Sequence, residues 1–351
     1  MFPAMPSLPA PTSDSPTRGR AETPIAFVQA MVLAYERRGM SPAAMLQAAQ
    51  ITPTMLRSSK TRVTAMQFEL ASEAAMRELD DEALGWFERP LPWGSYGLLI
   101  RASLTAPTLG VALKRWCRHH NLLTGSIRLQ VTEAEGLAAI ELAEQADLGA
   151  LREFCTVSVL RNALGVACWL TDSRIALEHT SLRYAAPAHA ESYAVLFDGP
   201  CTFQAERNAL QFDAGYLSLP VRRDEAAMRR MLQRALLLTV RPYRRDRLLV
   251  EKVRQTLAQF PDQSRNAQDL AARLNLSERT LHRQLKEEGS SLQQLKDSVR
   301  REQAIALLHR SKKPLKQIAE AVGFQNEKSF IRAFKVWTGV TPDAVRNERG
   351  A

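Results

Sequence analysis

Two short stretches of this chain carry side chains suited to the edges of base pairs. In LSERTLHRQLK, Arg279, His282 and Arg283 recur at helical spacing behind Ser277; in FQNEKSFIRAFK, Glu327, Lys328, Ser329 and Arg332 do so behind Asn326. A guanidinium can donate two hydrogen bonds to guanine, a carboxylate can accept from the cytosine amine, and a serine hydroxyl can serve base or phosphate. Thr280, Lys286 and Lys335 lie beside them with the types that hold phosphates, while Ser277 and Asn326 suit a helix cap or a backbone contact. His282 also fits an exposed position that touches only phosphate or water.

These side chains need rigid helices behind them. DLAARLNLSERTLHRQLK (Asp269 to Lys286) aligns with QIAEAVGFQNEKSFIRAFK (Gln317 to Lys335) after one inserted residue, matching Leu270 with Ile318, Ala271 with Ala319, Leu281 with Phe330, Arg283 with Arg332 and Leu285 with Phe334. Each copy predicts a short helix, a stop at Asn275 or Gly323 in the left-handed conformation, a cap, and a second helix with Leu276 or Phe324 packed beneath. That unit is a helix-turn-helix, whose second helix enters a major groove by its N-terminal part. Between the copies, Leu292, Leu295, Val299, Ala304, Leu307 and Leu308 predict one helix over Leu292 to His309, roughly 27 Å long against the roughly 34 Å repeat of B-DNA. Such a connector suits two reading helices in successive grooves.

Charge agrees with this placement. From Arg241 to Ala351 the chain has 23 Lys and Arg against 13 Asp and Glu, so the whole net charge of +10 sits in the last third. Clustered cations displace condensed counterions from nucleic acid, although an anionic membrane surface would satisfy the same count. With 351 residues and 45% hydrophobic content, two domains or three are expected. The division expected is a disordered tail over residues 1–20, a domain over 21–240, a basic linker RPYRRDR over 241–247, and an all-α domain over 248–351.

The first domain is expected to be α+β. Thr23-Pro24 and Ser41-Pro42 resemble hydroxyl caps with proline at the first helical position, Gly39 resembles a helix stop, and a helix from Thr64 places Met66, Leu70, Ala74 and Leu79 on an apolar stripe. Ile127, Leu129 and Val131 alternate, EAEG turns, and Ala138, Ile140 and Leu142 alternate again, which predicts a hairpin. Leu151 to Leu170 predicts a buried helix; strands follow near Arg174 to Leu177, Cys201 to Gln204 and Ala209 to Phe212. From Asp224, Met228, Met231, Leu232, Ala235 and Leu238 predict a helix that ends at Arg241-Pro242.

Catalytic patterns are scarce. Neither a phosphate-binding Walker loop nor an H-E-x-x-H zinc pattern occurs, and the strand neighbours Glu178 and His179 would point to opposite faces. His119, His120 and His189 read as surface or satisfied core residues. Cys117, Cys155, Cys168 and Cys201 lack paired spacing and read as reduced thiols, so no metal or cofactor is expected. Trp93, Tyr96, Trp116, Phe154 and Trp169 fit a core, with a cavity lining as the alternative. The start of the chain is rich in proline and serine without a signal-peptide apolar core, and no uninterrupted apolar segment suggests membrane insertion.

The last third resembles the AraC/XylS family of bacterial transcription regulators. The likeness covers about Leu248 to Arg346 and rests on Ile318-Ala319, Gly323-Phe324, Phe330, Arg332, Phe334-Lys335, Gly339, Thr341-Pro342 and Arg346; Val345 departs from the aromatic residue usual there. TAPTLGVALKRWCRHHNLL and FDGPCTFQAERNALQFDAGYLSLPV carry a weaker likeness to the so-called arabinose-binding domain of the ornithine-utilisation-regulator type. The resemblance implies promoter double-stranded DNA, RNA polymerase and a second copy of the chain as partners. It also implies a small-molecule effector bound in the first domain by residues it does not identify, and a cytoplasmic, nucleoid-associated location. The competing expectation is a metabolite-processing enzyme domain fused to a DNA-binding module.

Overall fold

The computed structural model describes residues 16–17, 19–233, 246–260 and 266–347. Residues 1–15 of the expected tail, 241–245 of the expected linker, and Ala235 and Leu238 of the expected helix lie outside them. The chain divides into two compact units, Met1–Asp246 and Arg247–Ala351.

The first unit is α+β. β1 (Ala21–Pro24) pairs antiparallel with β2 (Arg62–Thr64), and α1 (Ile25–Glu36), α2 (Ala43–Ala48) and α3 (Pro53–Arg57) fall between them. Thr23 pairs with Val63 in this ladder, so α1 begins at Ile25 and lacks the hydroxyl cap expected there. Thr64 does cap α4 (Ala65–Glu78): it accepts from Gln67 N, while the Gln67 side chain accepts from Thr64 N and donates to Ala49 O. The inward face of α4 is therefore Gln67, Glu69, Ala71, Ser72 and Ala75. Met66, Leu70 and Ala74 of the expected stripe are only half-buried; Leu79 alone of that set is buried.

α5 (Ser95–Leu104) and α6 (Leu109–Leu123) precede the hairpin of β3 (Ile127–Ala134) and β4 (Leu137–Glu144). Glu135 and Gly136 turn it with φ of 52° and 79°, the two left-handed residues a tight hairpin requires. β3 is an edge strand in a five-stranded sheet, and the Asn121 side chain covers it by accepting from Leu129 N and donating to Leu129 O. α7 (Arg152–Thr171) is buried on nearly every side and contacts α6 and β4. After it come β5 (Leu177–Ser181), α8 (Tyr193–Phe197), β6 (Cys201–Thr202), β7 (Asn208–Asp213) and α9 (Glu225–Leu232); the sheet order is β3-β4-β7-β5-β6, with only β5 and β6 parallel. β5 starts at the end of the stretch expected for it. Ser173 N is taken by Cys168 O at the end of α7 and Ala176 N by the Tyr216 hydroxyl, so the ladder forms only from Leu177.

The second unit is helical throughout its described residues: α10 (Leu248–Gln259), α11 (Ala267–Arg273), α12 (Glu278–Glu287), α13 (Leu292–Arg310), α14 (Leu315–Ala321), α15 (Glu327–Thr338) and α16 (Pro342–Asn347). It holds two cores. Val253, Leu270, Ala271, Leu281 and Leu285 pack with Leu292, Leu295 and Val299 from the first half of α13. Ala304 and Leu308 from its second half pack with Ile318, Ala319, Phe330, Phe334 and Val345. One 19-residue helix, roughly 28 Å long, thus contributes a face to each.

Candidate nucleic-acid interface

Each predicted pair of helices forms. Asn275 has φ of 54° and Gly323 of 83°, so both stops take the left-handed conformation. The chain then reverses through Leu276 N to Ala271 O at 2.8 Å in one unit and Phe324 N to Ala319 O at 2.9 Å in the other. Ser277 caps α12 by accepting from Thr280 N at 3.1 Å, and Asn326 caps α15 by accepting from Ser329 N at 2.8 Å. The Thr280 hydroxyl lies 2.8 Å from that of Ser277, so the two polar groups brace one another at the helix start.

Leu281 and Leu285 anchor α12, while Phe330 and Phe334 anchor α15; all four are fully buried. Arg279, His282, Arg283 and Lys286 emerge along the opposite stripe of α12 and are exposed. On α15 the exposed set is Lys328, Ser329, Arg332 and Lys335, with Glu327 half-buried in the first turn, where a carboxylate also suits the positive end of the helix. None of the six Arg and Lys side chains in these two sets makes a hydrogen bond or ion pair within the described residues. Their donors are available to phosphate and base edges.

Other cations of the helical domain are engaged within its fold. Arg273 stacks over Phe260 at 3.6 Å, Arg300 of α13 lies over Phe324 at 5.3 Å, and Arg346 donates to Lys313 O at 2.7 Å. Glu288, just beyond α12, was invisible to local pattern reading. Its carboxylate accepts from Leu249 N at 3.2 Å and Val250 N at 2.8 Å, capping a helix that has no side-chain cap of its own. Glu288→Ala is expected to cost about 1–3 kcal/mol by leaving both donors unpaired in a buried setting, and to abolish slow hydrogen exchange at those two amides. Unchanged exchange there would contradict this role.

The first unit contains a second feature that sequence reading missed. His189 is 7% exposed, and its Nε2 lies 2.7 Å from Glu153 Oε1, which also accepts from the Tyr193 hydroxyl at 2.7 Å. Tyr184 completes the chain 2.8 Å from Tyr193, and burial beside Glu153 holds the Tyr193 phenol well above its ordinary range. The cysteines are free thiols, with Cys117 and Cys168 pushed up to about 12 by burial. Of the aromatic residues expected in a core, Trp93 instead lies 40% exposed under Arg77, whereas Trp116, Phe154 and Trp169 are buried.

Comparison with known proteins adds family relationships. Residues 39–221 match the family described as the arabinose-binding domain of AraC transcription regulator, N-terminal, and residues 270–348 match a helix-turn-helix domain. The ornithine utilization regulator of Pseudomonas aeruginosa is 28% identical over 327 residues, covering 92% of this chain and 96% of that protein. The HTH-type transcriptional regulator VqsM of the same organism is 36% identical over 99 residues, or 28% of this chain and 30% of that one. The crystal structure of the transcriptional regulator CdpR from P. aeruginosa aligns over 92% of this chain and 98% of its own at 18% identity, with a TM-score of 0.33.

Proposed function

Because the chain belongs to the AraC-type transcription regulators with an N-terminal arabinose-binding-type domain and a DNA-binding helix-turn-helix domain, we propose that α12 and α15 read promoter bases. Arg279, His282 and Arg283 are assigned to one groove segment, and Glu327, Lys328, Ser329 and Arg332 to another. Lys286 and Lys335 hold phosphate, and Thr280 joins them through its hydroxyl. The observation that carries this reading is that both helices project an exposed cationic stripe, unpaired among the described residues, while sharing α13 as their support.

The first unit binds a small metabolite and pairs with a second copy of the chain; ligand binding there changes contact with RNA polymerase in the bacterial cytoplasm. The relative's name concerns ornithine and the family description arabinose, so L-ornithine and L-arabinose are the first molecules to titrate. The chain binds its effector without converting it. Turnover of either molecule beyond one equivalent per chain would favour the enzyme reading.

The deciding experiment is selection from a randomised duplex library by the full-length protein at fixed salt, with Arg283→Ala and Arg332→Ala in parallel. A sharp motif degraded at different positions by the two variants is expected; salt-sensitive binding with no motif would reject base reading. Lys335→Ala should weaken all duplexes alike and reduce the slope of log Kobs against log salt by about 1, as loss of one phosphate contact requires. A change confined to one base pair would reassign Lys335 to the bases.

A further inference from the structure

In the first unit, the indole nitrogens of Trp86 and Trp116 and both ring nitrogens of His120 are buried without a hydrogen-bond partner among the described residues. Trp116 and His120, 1% and 0% exposed, lie one turn apart on the inner face of α6. Tyr96 of α5 touches both, with ring centroids 6.0 Å from Trp116 and 6.1 Å from His120. Phe87 lies 6.2 Å from His120 and 6.1 Å from Trp86. The four unpaired atoms therefore belong to one connected group of rings.

The contrast with its neighbour is informative. Trp86 lies 5.3 Å from Phe154, and next to Phe154 in the chain Glu153 accepts from both His189 and Tyr193. Glu153 pairs with His189 and Tyr193, whereas the ring nitrogens of Trp86, Trp116 and His120 have no partner among the described residues. Burying such groups without partners lowers stability, so a cluster of them marks a place where something else supplies the acceptors.

We propose that the His120–Trp116–Trp86 cluster is the effector site of the ligand-binding domain, and that it takes a planar, uncharged molecule bearing a carbonyl or similar hydrogen-bond acceptor. This rests on the reading of the first unit as the effector domain, and adds its location and ligand class. Indole N–H groups can only donate, neutral histidine offers one donor and one acceptor, and the surrounding rings favour a flat partner. Burial pushes His120 down to about 4, so at neutral pH it gives no cation to an anionic ligand. The ionisable groups acting on Tyr96 include the carboxylates of Glu82 and Asp81, with Asn162 as its neutral polar neighbour. Glu82 accepts from Gly94 N and Tyr96 N, each at 2.7 Å, so one backbone donor engages each of its oxygens.

Indole-3-carboxaldehyde is a suitable probe, with indole-3-carboxylate as its charged counterpart, each titrated calorimetrically into the full-length protein. The aldehyde should bind saturably, one per chain, raise Tm by about 5–10 °C near 100 times its Kd, and exceed the carboxylate at least tenfold in affinity. His120→Leu should weaken the aldehyde at least tenfold while its own ligand-free Tm stays equal or rises, because a costly unpaired group has gone. If His120→Leu does not fold, Trp116→Phe removes one donor from the same cluster and gives the same comparison. Unchanged affinity in the variant that folds, or no saturable binding of the aldehyde at millimolar concentration, would overturn the proposal and leave the unpaired atoms to ordered water. An operator response to L-ornithine or L-arabinose that survives His120→Leu would overturn this site alone and preserve the effector-domain reading.

Discussion

Arg332→Ala is expected to lower affinity for the cognate operator roughly 5- to 150-fold and to relax preference at one base pair, the equivalent of about 1–3 kcal/mol for a bidentate arginine–guanine contact. The geometry behind this is simple. Phe330 and Phe334 flank Arg332 by two residues on either side and are fully buried, which turns Arg332, about 200° around the helix from each, straight out of the domain. Its guanidinium makes no bond within the described residues, so the substitution removes no internal support and Tm should not change. Arg332→Lys separates charge from shape: it keeps the cation and the salt dependence but loses the two-pronged donor geometry, and should lose most of the preference at that pair. If Arg332→Ala weakens binding equally on every sequence, Arg332 is a phosphate clamp and the base assignment fails.

Phe330→Ala should abolish operator binding by a different route, without touching a DNA-facing group. Phe330 is fully buried, 5.7 Å from the ring centroids of both Phe324 and Phe334, in a core that includes no residue of the first helix-turn-helix. Truncating a buried phenylalanine costs about 3–5 kcal/mol, a large share of the roughly 5–15 kcal/mol that stabilises an ordinary domain. Because the other core has its own cluster and shares only α13, the loss should be local. Hydrogen exchange of the full-length variant should show α14 to α16 unprotected while Leu281 and Leu285 in α12 remain slow. Uniform loss across the second unit would mean that the two cores unfold as one; unaltered exchange would mean that Phe330 contributes little to holding α15.

The helix-turn-helix units were legible because their information is local. Apolar residues at helical spacing, an asparagine or glycine at each stop, and a capping residue two or three positions later are short-range requirements, and Asn275, Gly323, Ser277 and Asn326 meet them where expected. The hairpin at Glu135-Gly136 was legible for the same reason, through period-two alternation on either side. Local rules misplaced the start of β5 and the buried face of α4, because Tyr216 and the Ala49 carbonyl compete for groups that propensity assigns elsewhere.

By itself, then, the sequence determined the periodicity of the helices, the caps and stops of the two helix-turn-helix units, the concentration of positive charge in the last third, and the exposed cationic side chains of α12 and α15. Only the tertiary structure decided which groups meet across long separations. It brought Glu288 to the start of α10, divided α13 between two cores, joined Glu153 to His189 and Tyr193, and left the ring nitrogens of His120 and two indoles buried without partners among the described residues. The physical reason is that a cap or an amphipathic stripe is settled within a few residues by backbone geometry. A buried hydrogen bond between distant segments depends on how every intervening element packs, which no local pattern encodes.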